Sequence, residues 1–177
     1  MSDPGPAPVV PCGAGHLPAI RAIYNDAILH TTALWEYAPR SVETVLAWWE
    51  AKRAAGIPVL GIEEEGELAG FATWGPFRPF PAYKYSVEHS VYVAAGKRGR
   101  GVGRRLLEGL LAEAATREIR LVVGGICSSN RASIALHRRL GFEHAGTVRQ
   151  AGFKFGRWLD LEFWQRHLPG PAVPIDG

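Results

Sequence analysis

Residues Val87 to Leu111, VEHSVYVAAGKRGRGVGRRLLEGLL, restrict what this chain can become more than any other stretch. Val87 to Val93 is β-branched and aromatic apart from Glu88, His89 and Ser90. From Val102 onward the apolar residues Leu106, Leu107, Leu110, Leu111 and Ala114 recur at helical spacing. Gly99, Gly101 and Gly103 lie between. The pattern predicts strand, glycine turn and helix, with backbone N–H groups at the helix start open to an anion. Lys97, Arg98, Arg100, Arg104 and Arg105 crowd that same point, where the macrodipole disfavours cations. A ligand carrying several negative charges would offset their repulsion, so the turn is expected to cradle phosphates.

The flanking sequence supplies the rest of a domain. Leu17 to Leu29 and Val42 to Ala55 read as amphipathic helices, the second capped by Ser41 and stopped by Gly56. Pro58 to Ile62 and Leu68 to Trp74 read as a hairpin turning at Gly66. Leu121 to Cys127 suits a strand buried on both faces. Arg131 to Leu140 follows as a helix between Asn130 and Gly141, and Phe142 to Val148 and Trp158 to Trp164 close the chain as strands. With a short first strand at Val9 and Val10, the class is α/β: a mixed, largely antiparallel central sheet with flanking helices and one βαβ crossover. The 177 residues suit one domain over 9–168, with Pro- and Gly-rich tails at 1–8 and 169–177. Gly61 is out of place, since a side chain is expected in mid-strand.

Several function classes are disfavoured. The net charge is +3 and acids are interspersed, as in Glu63-Glu64-Glu65, so no continuous basic stripe for nucleic acid is expected. Cys12 and Cys127 are far apart, which predicts neither a disulfide framework nor a metal site. No apolar leader or bilayer-length run occurs, and a cytoplasmic protein without a membrane partner is expected.

Two phosphate-binding patterns fail on spacing. A dinucleotide fingerprint counted from Gly101 needs a glycine where Leu106 stands, and counted from Gly99 one where Arg104 stands. A Walker loop needs Gly-Lys-[Ser/Thr], which is absent. What remains is Arg98-Gly99-Arg100-Gly101-Val102-Gly103, followed downstream by Asn130, Ser133, His137, Gly141 and Phe142. This set resembles the GNAT superfamily of N-acetyltransferases. EHSVYV over 88–93, the aromatic loop with Arg78, and KFGRWLDLEFWQ over 154–165 are similar to the branch that acetylates phosphinothricin and methionine sulfoximine. The resemblance spans roughly residues 15–168.

It implies acetyl-CoA as co-substrate, a small-molecule amine as acceptor, and a homodimer. It also implies a coenzyme A site made by the backbone of Val91, Tyr92 and Val93, by Arg98 to Arg104 (including Arg100 and Val102), and by Asn130, Ser133 and Arg139. Glu88 is the expected general base, because a carboxylate in an apolar strand is costly without a task and burial raises its pKa. The plainer reading is a Glu paired with a nearby Arg. His137 stands where the superfamily often has a Tyr and is a candidate to protonate the leaving thiolate, to hold the cofactor, or to lie on an outer helix face. His89 and Ser90 are candidate substrate contacts, His89 also a second proton acceptor. Arg78, with Pro79 and Phe80 in the 75–84 loop, is expected to clamp a carboxylate, and Trp35 and Tyr83 to wall the pocket. Lys154 and Arg157 are further capture candidates, Arg157 alternatively pairing with Asp160. Neither cysteine is expected where an acyl-enzyme would form. Other acceptors (a protein N-terminus, a polyamine, a drug) and a non-catalytic acyl-CoA sensor are the alternatives.

Overall fold

A computed structural model describes residues 7–176. Residues 1–6 of the expected N-terminal tail and Gly177 lie outside it. The chain runs β1 (Val9–Pro11), α1 (Leu17–His30), α2 (Val42–Ala54), β2 (Val59–Glu64), β3 (Glu67–Pro76), β4 (Ser86–Val93), α3 (Val102–Thr116), β5 (Leu121–Cys127), α4 (Arg131–Arg139), β6 (Glu143–Lys154) and β7 (Arg157–His167). The seven strands form one sheet in the order β1-β2-β3-β4-β5-β7-β6. Every neighbouring pair is antiparallel except β4 and β5, which α3 connects as the single crossover. This is the mixed sheet expected from the sequence.

Helical periodicity sets what covers each face. α3 buries Val102, Leu106, Leu107, Leu110, Leu111 and Ala114, and α4 buries Ile134 and His137, all on one side of the sheet. On the other side α1 buries Ile20, Ile23 and Tyr24 and α2 buries Val45 and Trp49, against Phe71 and Tyr92. The caps are the expected ones: Ser41 Oγ accepts from Thr44 N–H at 3.2 Å, and Asn130 Oδ1 from Ser133 N–H at 3.2 Å. The misplaced Gly61 now has a reason. A Cβ there would stand 2.7 Å from Cys12 Sγ and 2.8 Å from Leu68 Cδ1, so the strand yields its side chain to the thiol above it.

One feature departs from the sequence reading, a second refines it by how short the parallel pairing is, and both shape the site. The last two strands are longer than expected, forming one hairpin that turns at Phe155 (φ 52°) and Gly156 (φ 72°). Register irregularities between His144 and Gly146 and between Val148 and Gly152 break the alternation that would have announced its length. The second feature is the parallel pair itself. β4 and β5 pair only over Ser86 to Glu88 with Leu121 to Val123. Beyond Glu88 the strands part, and the opening between them is the principal cleft.

Candidate active site

The cleft encloses about 1260 Å³. Its walls bring together Glu88, His89, Ser90, Val91, Tyr92 and Val93 of β4 with Arg98, Gly99, Gly101, Val102, Gly103 and Arg104 of the glycine turn. Asn130, Ser133, His137 and Arg139 close the α4 side. Of the residues that the sequence assigned to the coenzyme A site, all but Arg100 line the cleft.

The glycine turn is built for an anion. Gly99 and Gly101 hold φ of +77° and +80°, a left-handed conformation that glycine adopts without strain, and a Cβ on either would meet nothing within 4 Å. Gly101 is the N-cap of α3, and the first bond into the helix runs from Arg105 N–H to Gly101 C=O at 3.1 Å. The N–H groups of Val102, Gly103 and Arg104 therefore face outward without helical partners. The surrounding cations differ from the expectation. Lys97 pairs with Glu65 at 2.8 Å, Arg98 with Asp26 at 2.5 Å, Arg104 with Glu108 at 2.8 Å and Arg105 with Glu64 at 2.8 Å. Arg100 makes no ion pair among the described residues. The protein's own acids thus relieve most of the repulsion, and the backbone supplies the cradle.

Glu88 and His89 point to opposite faces of β4, as strand alternation requires. Glu88 is half-buried on the α1 side. Burial raises its carboxyl pKa above the ordinary value, and the positive charge of Arg78 opposes the rise. The two make no ion pair within 4.0 Å. His89, 7% exposed, meets His137, 3% exposed, on the α4 side. Their Nε2 atoms are 2.9 Å apart, and His137 Nδ1 lies 2.7 Å from the carbonyl oxygen of Ser133. A carbonyl only accepts, so His137 carries its proton on Nδ1 and receives one from His89 Nε2–H. His89 Nδ1 is left buried without a partner. Burial lowers both pKa values, that of His89 to about 3 with a further push from His137. His137 is therefore not on an outer helix face. With both nitrogens engaged it has no proton directed at a leaving group, which corrects its reading as an acid.

Adjacent glycines on β5 make room for both arrangements. A Cβ at Gly124 would lie 2.8 Å from His89 Nε2 and 3.1 Å from His137 Nε2, and one at Gly125 would lie 2.8 Å from Glu88 Oε1. Sequence reasoning passed over this pair, although two glycines inside an apolar strand announce a close approach.

The expected substrate wall is only partly there. Arg78, Pro79 and Phe80 line a separate depression of about 390 Å³ with Trp74, Tyr83 and Lys84. Phe77 turns the loop that way by packing on Tyr83 and Phe163, and the Arg78 guanidinium stacks 4.3 Å from the Phe77 ring. Trp35 does not line the cleft either. It lies against Gly152 of β6 and donates from Nε1 to Thr32 C=O at 3.0 Å. Its neighbours Thr31, Thr32 and Ala33 form the wall in its place, facing Phe155 and Arg157 of the hairpin. Arg157 reaches Ser129 Oγ at 3.3 Å, not Asp160, which accepts instead from Gln150 N–H at 2.8 Å. Lys154 points inward to carbonyl groups and captures nothing. Cys127 lines the cleft, buried, with Sγ 3.2 Å from Ser129 Oγ.

Residues 19–142 match the model of the acetyltransferase (GNAT) family. The chain belongs to that family. It is accordingly an acetyl-CoA-dependent N-acetyltransferase, and the glycine turn fits the diphosphate of that co-substrate. The chain is 46% identical over 164 residues to an L-methionine sulfoximine/L-methionine sulfone acetyltransferase of Pseudomonas paraeruginosa, covering 92% of this chain and 95% of that one. It is 40% identical to a phosphinothricin N-acetyltransferase of Alcaligenes faecalis, covering 86% and 78%. Among solved structures, a GNAT superfamily phosphinothricin acetyltransferase of Sinorhizobium meliloti in complex with acetyl-CoA superposes with a TM-score of 0.91 at 35% identity, covering 95% and 92%. Among the described residues no helix is long and apolar enough to cross a membrane.

Proposed function

We propose that this acetyltransferase acts on the α-amino group of a small amino-acid-like compound of the methionine sulfoximine, methionine sulfone or phosphinothricin type. The observation that carries the reading is the place of Glu88. It is the last residue of β4 paired with β5, half-buried, at the point where the cleft opens. The names of the relatives support the acceptor class.

Bound acetyl-CoA supplies an acetyl group activated as a thioester. The acceptor's ammonium must lose a proton before it can attack, and Glu88 accepts it, directly or through a water. Its raised pKa brings it nearer to the operating pH and makes it a stronger acceptor. Beyond Glu88 the β5 side of β4 has no strand partner, so the backbone of Val91 to Val93 is free to pair with an extended arm. The glycine turn holds the diphosphate, with Asn130, Ser133 and Arg139 along the α4 side. His137 and His89 shape the wall as a neutral pair. Arg78 acts through its charge on Glu88 and on an acceptor carboxylate. Attack is direct: the amine nitrogen bonds to the acetyl carbon, the C–S bond breaks, and the departing thiolate takes its proton from water. The one hydrogen-bond partner of the Cys127 thiol is the Ser129 hydroxyl, which is no base to activate it. A homodimer belongs to the same proposal, supported by exposed Val148, Phe153, Phe155 and Trp158 on the hairpin. So does a cytoplasmic location, which suits two unpaired cysteines.

Thiol release from acetyl-CoA, followed across methionine sulfoximine, methionine sulfone, phosphinothricin and ordinary amino acids, tests the reading. Glu88→Gln should lower turnover about 10²- to 10⁴-fold with acetyl-CoA affinity near wild type. A fully active variant would remove Glu88 as the base. Tight acetyl-CoA binding without turnover of any amine would favour a sensor.

A further inference from the structure

We propose that Lys154 positions the acceptor-side wall of the cleft by pinning the loop after α1 to the β6–β7 hairpin. The proposal rests on the acetyl-transfer reading and goes beyond it, because Lys154 touches neither reactant.

The lysine is 4% exposed. Its ammonium donates to the carbonyl oxygens of Ile28 at 2.5 Å, Thr31 at 3.0 Å and Leu34 at 2.6 Å. Three donors meet three acceptors, so the charged group is fully satisfied where water cannot reach it. Those carbonyls belong to the last turn of α1 and the loop beyond it, the negative end of the helix dipole. One residue past Leu34, Trp35 packs on Gly152, and further on the Tyr37 hydroxyl donates to Phe153 C=O at 2.6 Å. The 31–37 segment is thus tied to the hairpin at three successive points.

Both tied segments form one wall. Thr31, Thr32 and Ala33 line the cleft from the α1 side, and Phe155 and Arg157, which flank Lys154 in the hairpin, line it from across. Glu88 points to this face of the sheet, whereas the glycine turn is carried by α3 on the opposite face. Loosening Lys154 should therefore disturb where the amine sits more than it disturbs the diphosphate site, which meets α1 through the Arg98–Asp26 pair. A residue that served the fold only would lower stability without separating the two substrates.

The test compares Lys154→Met, Lys154→Arg and Tyr37→Phe with wild type. The readouts are the KM for methionine sulfone, the Kd of acetyl-CoA by calorimetry and the thermal midpoint. Lys154→Met should raise the acceptor KM about tenfold with a much smaller change in the acetyl-CoA Kd. Lys154→Arg should not restore it, since a planar fork cannot aim at three converging carbonyls. Tyr37→Phe, at an exposed position, removes one of the three ties and should raise it by a smaller factor. A folded Lys154→Met with wild-type acceptor KM, or with both substrates weakened alike, overturns the proposal. If Lys154→Met does not fold, an unchanged acceptor KM in Tyr37→Phe overturns it. If wild type acetylates no amine, the acetyl-transfer reading fails separately. Hydrogen exchange then decides the pinning, faster at residues 31–34 in the variants if Lys154 or Tyr37 holds them, unchanged if not.

Discussion

The Nε2 atoms of His89 and His137 stand 2.9 Å apart, and the space between them holds one proton. A second there would set two N–H groups against each other, and the extra proton of a charged His89 would sit on its buried, unpartnered Nδ1. The fold therefore takes both rings neutral, and it keeps the pair by leaving Gly124 without a side chain.

Stability should consequently fall in acid. The pKa of His89 is about 3 in the fold, against roughly 6.5 for an unfolded histidine, so the unfolded chain binds the extra proton first. The stabilisation is complete above about pH 6.5 and is lost as the pH drops toward about 3. Each kcal/mol lost moves the thermal midpoint by roughly 2–4 °C in a chain of this size. His89→Gln still offers a donor to His137 and does not titrate, so its midpoint should change less between pH 7 and pH 4. Parallel curves for the two proteins would show that the pair does not govern the acid limb.

The fold was legible because its signals are local. Helical spacing in Val102 to Ala114, the cap at Ser41 and the glycines of the turn each name their structure without reference to the rest of the chain. The site was legible along β4 and the turn for the same reason. What the sequence hid depends on contacts between distant segments. Nothing near Lys154 announces Ile28, Thr31 and Leu34, and the acids that neutralise the turn come from α1 and the β2–β3 hairpin. That Arg78 lines a neighbouring depression was hidden too, because an aromatic loop reads alike whether it walls the main cleft or packs beside it.

Gly125 should prove as sensitive as the base it faces. An added Cβ would stand 2.8 Å from Glu88 Oε1, with Leu161 and Phe163 behind, so the carboxylate must move. Gly125 itself is exposed, and Gly125→Ala should stay folded. Turnover is expected to fall about 10²-fold, because a small displacement of a catalytic group is enough for that. The acid limb of the rate profile should shift back toward that of an ordinary carboxylate as Glu88 is pushed into water. Wild-type turnover with an unshifted limb would mean that the carboxylate finds an equivalent seat.

Arg78 should reveal itself in two independent measurements. Its charge works against the burial that raises the Glu88 pKa, so Arg78→Ala removes the opposing effect and the pKa rises further. The base is active when deprotonated, and the acid limb of kcat/KM should therefore move to higher pH. If the guanidinium also meets the acceptor's carboxylate, its loss should raise the KM for amino-acid-like acceptors roughly 10- to 100-fold, the range expected for a charged hydrogen bond. Simple amines of the same size should be spared. A moved limb with no difference between the two acceptor classes would leave Arg78 as a charge on Glu88 alone. An unmoved limb would place it outside the reaction, holding the Phe77 loop by its stack and its 2.8 Å bond to the Phe77 carbonyl.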